Sequence, residues 1–156
     1  MMPNLRSTLR ARLAFAICLF ALSQAFGGCR EVALPDDRTE LGKLMDSESL
    51  EVAFNATQKL GRLHGADPLR QMIRSGGTQA RWLAAAALEA HPSAESRNAL
   101  LNALADGSPE VRSKAVIALR SMCDKSCVAQ VEPLLVDADE TVRVVAGATL
   151  KQIRDR

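Results

Sequence analysis

The chain has no tyrosine, one tryptophan and four phenylalanines in 156 residues. Phe15, Phe20 and Phe26 fall within the first 28 positions, which leaves Phe54 and Trp82 as the aromatic content of everything after them. Two rings are a poor basis for stacking on sugars or bases, and that class of binding is not expected. Histidine is nearly as scarce: His64 precedes Gly65 and His91 precedes Pro92, so neither begins a His-Glu motif. HExxH, GxSxG and a glycine-rich phosphate loop are all missing, and no base is paired with a nucleophile. No catalytic or metal-binding constellation is visible. Alternating β-branched runs are missing too, so the chain reads as helical. No apolar run reaches the roughly 20 residues of a membrane-spanning helix.

Charge is balanced overall, at 20 Lys+Arg to 18 Asp+Glu, but it is unevenly placed. Arg6, Arg10 and Arg12 precede every acidic residue and are followed by the apolar stretch Leu13 to Phe26. A cationic start and a short apolar run describe a secretory leader. Two cleavage sites compete. Ser23-Gln24-Ala25 has the small-x-small form of ordinary secretion, whereas Phe26-Gly27-Gly28-Cys29 resembles a bacterial lipobox, with Phe26 where that pattern usually has Leu. Cysteine parity favours the second, because ordinary cleavage leaves Cys29, Cys123 and Cys127, an odd number for an oxidising compartment.

The lipoprotein resemblance implies a cleaved signal peptide, residues 1–28, and lipid chains such as palmitate on Cys29. It also implies a tether, residues 29–37, containing Pro35. At about 0.8 kcal/mol per buried methylene, several acyl chains amount to permanent membrane attachment. Arg30 follows the cysteine where an Asp would retain a lipoprotein at the inner membrane of enteric bacteria, which favours the outer membrane, facing the periplasm. Losing the leader leaves 17 basic against 18 acidic side chains, so no nucleic-acid partner is expected.

From residue 38 onward one unit is written several times. Segments 105–122 and 136–153 align without a gap at a spacing of 31, and 74–91 falls into the same register. Arg81, Arg112 and Arg143 coincide, as do Ala84, Ala115 and Ala146, and Leu88, Leu119 and Leu150. The helices before them repeat as well: Leu69, Leu100 and Val131 align, as do Ile73, Leu104 and Leu135. An upstream, degenerate unit places Ala53 and Ala56 in register with Ala84 and Ala87, after a poorer helix around Leu41, Leu44 and Met45. Leu69, Met72 and Ile73 fall at i, i+3, i+4, as do Leu100, Ala103 and Leu104, which gives one apolar stripe per first helix, while the second helices carry stripes of alanine. One pair cannot hide both stripes; stacking in a row completes the core.

These helix pairs, with Asp in the turn before Val-Arg and an alanine-rich second helix, resemble HEAT repeats of the short bacterial type. The resemblance implies an all-α fold, a short right-handed α-solenoid of period 31, with a repeat domain over 38–156 and units near 38–63, 66–91, 97–122 and 128–153. It implies an internal ladder of Asp106, Asp137, Arg81, Arg112 and Arg143, in which Asp and Arg bond between adjacent units. Ser75 stands where the earlier unit would have its Asp, which puts that rung in doubt. A row of anion-binding arginines is the rival role for the same side chains.

Cys123 and Cys127 form CDKSC in the break between two units, where a disulfide staple is expected outside the cytoplasm. A redox pair would want CxxC at a helix start in a βαβ setting, and zinc would want two further ligands. His64 and His91, at the ends of second helices, suit the helix dipole. Counting about 100° per residue from the alanine stripe, Trp82, Ala86 and Glu89 point away from it, as do Ser113, Ile117 and Arg120, and Val144, Ala148 and Lys151. In a HEAT-like stack this side lines the concave face. Trp82, Ile117 and Val144 form there either an apolar partner-binding patch rimmed by charge or ordinary core closed by a neighbouring helix.

The function expected is a non-catalytic scaffold, lipid-anchored in the cell envelope, binding one or more envelope proteins and needing no cofactor or metal. The alternative is an accessory subunit of an envelope enzyme, or a repeat-built lyase with a small-molecule site in the groove.

Overall fold

The computed structural model describes residues 33–155; the expectations for residues 1–28, for lipidation of Cys29 and for Arg30 fall outside them. Helices follow in pairs: α1 (Arg38–Leu44) with α2 (Leu50–His64), α3 (Ala66–Ser75) with α4 (Thr78–Ala87), α5 (Ala94–Ala103) with α6 (Pro109–Met122), and α7 (Val128–Val131) with α8 (Glu140–Arg154). Short 3-10 segments cover Leu88–Ala90, Lys125–Cys127 and Glu132–Val136, and there is no strand among the described residues. None of the described helices is long and apolar enough to cross a membrane. The second helices α4, α6 and α8 begin at Thr78, Pro109 and Glu140, in step with the period of the sequence.

Helix starts follow from local chemistry. Asp37, Ser49, Ser93, Ser108 and Asp139 each accept a backbone N–H from the first turn that follows, and Pro109 fills the first position of α6, where its missing N–H costs nothing. Between α2 and α3 the single residue Gly65 makes the turn at φ +71°, a conformation that side chains resist.

Packing shows why the units need one another. α6 lies against α4 on one side and α8 on the other, with α5 beside it. Ala84, Ala115 and Ala146 are all fully buried, and Leu88, Leu119 and Leu150 are 0%, 0% and 2% exposed, so equivalent positions occupy equivalent environments. Alanine keeps the helices close, and each leucine it surrounds contributes about 1.5–3 kcal/mol by leaving water.

Two departures from the pattern have physical causes. The first helix of the last unit is broken into α7 and 3-10 turns, because Pro133 lacks an N–H and its ring clashes with the preceding turn. The leading unit is a genuine helix pair with a seven-residue first helix, anchored by the fully buried Leu41 and Met45. Ahead of it, the end of the expected tether is strapped down: Lys59 pairs with Asp36 at 2.7 Å and donates to the Leu34 carbonyl, and His64 Nε2 lies 2.7 Å from the Asp36 carbonyl.

Candidate functional site

The aligned arginines connect units. Arg81 Nε and a terminal nitrogen reach the two carboxylate oxygens of Asp106 at 2.7 and 3.0 Å, and Arg112 holds Asp137 the same way at 2.8 and 2.7 Å. Each pair spans 25 residues, from one unit to the next. The remaining nitrogen ties back to carbonyls before its own helix: Gly76 for Arg81, and Asp106 and Gly107 for Arg112. The pairs are largely shielded, with side-chain exposures of 15% for Arg112 and 8% for Asp137. The Arg112 guanidinium and the Asp139 N–H hold the Asp137 carboxyl below its ordinary value. At Asp106, burial pushes the carboxyl up, but Arg81 and the Ser108 N–H outweigh it and the net direction is down.

Arg143 departs from the ladder expected for it. It donates to the carbonyls of Asp137 and Ala138, and no carboxylate pairs with it among the described residues. In the register of the two rungs its partner would come from a unit following α8, which is outside the described residues.

The rung left in doubt at Ser75 is replaced by another device. Ser75 Oγ turns back to the Gln71 carbonyl, and Leu50 occupies the position that arginine holds in later units. Asp46, from the turn after α1, instead accepts the N–H groups of Gly77 and Ala80 at 3.1 and 3.2 Å and caps α4 from the neighbouring unit. Gln79 reinforces this seam by donating to the carbonyls of Met45 and Ser47. Gly77 makes the approach possible, since a Cβ there would overlap the Asp46 carboxylate. Gly77→Ala is therefore expected to destabilise the fold by about 1 kcal/mol, the usual cost of a lost cap. Urea unfolding checks this: Asp46→Ala should cost a similar amount, and the double variant should cost less than the sum.

The row along the second helices is graded. Trp82, Ala86, Ser113, Ile117 and Arg120 are half-buried, whereas Glu89, Ala148 and Lys151 are exposed and Val144 is 65% exposed. Trp82 packs in part against the core, and the Lys114 ammonium stands over its ring, 5.1 Å from the centroid. The three expected apolar members are thus unequal: Val144 is open, while Trp82 and Ile117 are partly covered. Arg120 Nε is enclosed and has no hydrogen-bond partner. Lys114 and Asp46 were not singled out from sequence. The lysine sits beside the row at a position occupied by Leu83 and Val145 in the flanking units, and the aspartate shares the register of Ser108 and Asp139, which cap their own helices and not a neighbour's.

The sulfurs of Cys123 and Cys127 are joined, both residues are buried, and Cys123 ends α6. So short a loop contributes at most about 2 kcal/mol in the chain-entropy account. His91 packs its ring against Gly61 of the preceding unit. Among the described residues no group of three His, Cys, Asp or Glu side chains is placed to hold a metal.

Comparison with known proteins agrees with this architecture. No curated protein matches the chain. Residues 66–151, more than half of the chain and spanning α3 to α8, match the family described as HEAT repeats. Paired helices at a fixed period, joined by Arg–Asp rungs, place the chain in the HEAT-repeat family, whose members generally serve as scaffolds for protein–protein interaction.

Proposed function

We propose that the chain is a non-catalytic scaffold held in the cell envelope by lipid on Cys29, and that it binds an envelope protein along the row from Trp82 to Lys151. The observation that carries this reading is the row itself. Trp82, Ile117 and Val144 come one from each of three successive units and are consumed neither by the ladder nor wholly by the core. Lys114, Arg120 and Lys151 outnumber Glu89 along it, which favours a partner segment rich in carboxylates. A half-buried tryptophan and an enclosed arginine are the side chains on which binding energy concentrates.

The test is affinity capture from solubilised membranes with the tagged full chain against Trp82→Ala combined with Ile117→Asp. The partner is expected to be lost, since anchor residues of this kind typically cost 2 kcal/mol or more, about thirtyfold in affinity. A folded double variant that retains the same partner would refute the row. Intact mass of the membrane-extracted protein tests the anchor, through removal of residues 1–28 and the mass added to Cys29.

A further inference from the structure

The first helix pair is held to the chain ahead of it by a clamp whose position bears on the membrane. Lys114 on α6 shows which way its face turns: it stands over the Trp82 ring of α4, in the preceding unit. The equivalent of Lys114 on α2 is Val52, and Val52, Ala56, Lys59 and Leu63 follow at i, i+4, i+7 and i+11 along one face. That face of α2 therefore looks toward the beginning of the chain. Ala56 is fully buried on it, and Lys59 pairs with Asp36 and donates to the Leu34 carbonyl. His64 Nε2 meets the Asp36 carbonyl, and Leu34 packs its side chain against the core. One turn beyond Lys59, Leu63 stays 49% exposed. Cys29 stands five positions before Leu34. At about 3.6 Å per residue at most, five steps reach no farther than about 18 Å, less than two helix diameters.

We propose that the segment from Leu34 to Asp36 is a clamp that holds this face of α2 against a lipid surface, with Leu63 at the level of the headgroups; the inference rests on the lipid on Cys29. Two observations select a bilayer as the occupant. The chain leaves the stack on this face, and the stretch between clamp and anchor is too short to let the face turn away. Lys59 is already neutralised by Asp36, so the contact is made by the short tether and the apolar Leu63 and does not depend on anionic headgroups. Successive second helices stack at about 8–10 Å, so α8 stands about 25–30 Å farther from the membrane than α2. The row from Trp82 to Lys151 is thereby carried outward, toward its partner.

The test uses the full chain extracted from its own membranes and reconstituted into phosphatidylethanolamine–phosphatidylglycerol vesicles that carry a nitroxide on the headgroup. A bimane fluorophore is attached to a cysteine replacing Leu63 or, as the distant control, exposed Gln152 of α8. With α8 three layers farther out, quenching at position 63 is expected to exceed that at 152 by about threefold or more. About fifteen Gly and Ser residues inserted between Val32 and Ala33 leave the folded residues untouched and add roughly 20 Å of reach, which should bring the ratio close to one. Lys59→Ala with His64→Ala, in a chain still folded by circular dichroism, should lower the ratio as well. Equal quenching at the two positions in the parent chain, or a ratio that either change leaves as it was, overturns the clamp. Flotation with the vesicles and intact mass separate two kinds of failure. A chain that floats and carries added mass on Cys29, yet shows equal quenching, refutes the clamp alone; one without that mass refutes anchor and clamp together.

Discussion

Leu119→Ala is expected to destabilise the fold by about 3–4 kcal/mol and to lower its thermal midpoint by roughly 10 °C or more. Leu119 is completely buried on α6, the helix flanked by α4 and α8. Its surroundings are what make the loss large. Ala115, Ala118 and Ala146 are buried and already minimal, so the helices cannot relax sideways into the hole without breaking their own contacts. Leu150→Ala removes the same side chain from α8, which is followed by no further helix in the described stack, and should cost less, about 2 kcal/mol. Urea unfolding of both variants checks the ordering. A Leu119→Ala loss no larger than that of Leu150→Ala would contradict the account of stacking given above.

Asp137→Ala is the second large effect, at about 2 kcal/mol. This lies between the worth of an exposed pair and the cost of orphaning a fully buried one. Arg112 is only 15% exposed in the intact pair, and the substitution leaves it facing a gap where two charge-assisted bonds had been. Arg112→Ala should cost a comparable amount. The double variant should cost clearly less than the sum, because no charge is then left stranded. Arg143→Ala is the internal control and should change stability by no more than about 0.5 kcal/mol. The pair also predicts acid sensitivity. The Asp137 and Asp106 carboxyls sit below their ordinary value of 3.8 in the folded chain, so their stabilisation is complete above that value. It is lost as the pH falls from there through the lower folded-state values. Unfolding midpoints measured from pH 5 down to 2 should drop more steeply for the parent than for the Arg112→Ala, Asp137→Ala double variant.

Much of this architecture was legible because the repeat states it three times. The spacing of Ala84, Ala115 and Ala146 located the close-packed stripe, and the aspartates and arginines in register located the seams. What escaped notice occurs once. Asp46 holds the register of Ser108 and Asp139, but it alone caps the next unit's helix, and that role depends on Gly77, whose relevant property is a side chain it lacks. Pro133 lies within a segment whose apolar pattern matches the intact helices α3 and α5, yet one ring breaks the helix there. The different bonding of Arg143 was invisible for another reason: identical residues in identical units differ when only some have a following unit among the described residues. The covering of Trp82 was likewise beyond helical counting, since Lys114 of the next unit stands over its ring.

The substitution of Asp46 for a rung bears on how the array comes apart. The later seams are locked by side chains that grip each other, whereas the first is stitched by one carboxylate to bare amides and by one glutamine to carbonyls. In a linear array each leaf is held only by its neighbours. The pair α1 and α2 is therefore the leaf that lifts first, trading its amide hydrogens with solvent and offering itself to proteases while the rest stays closed.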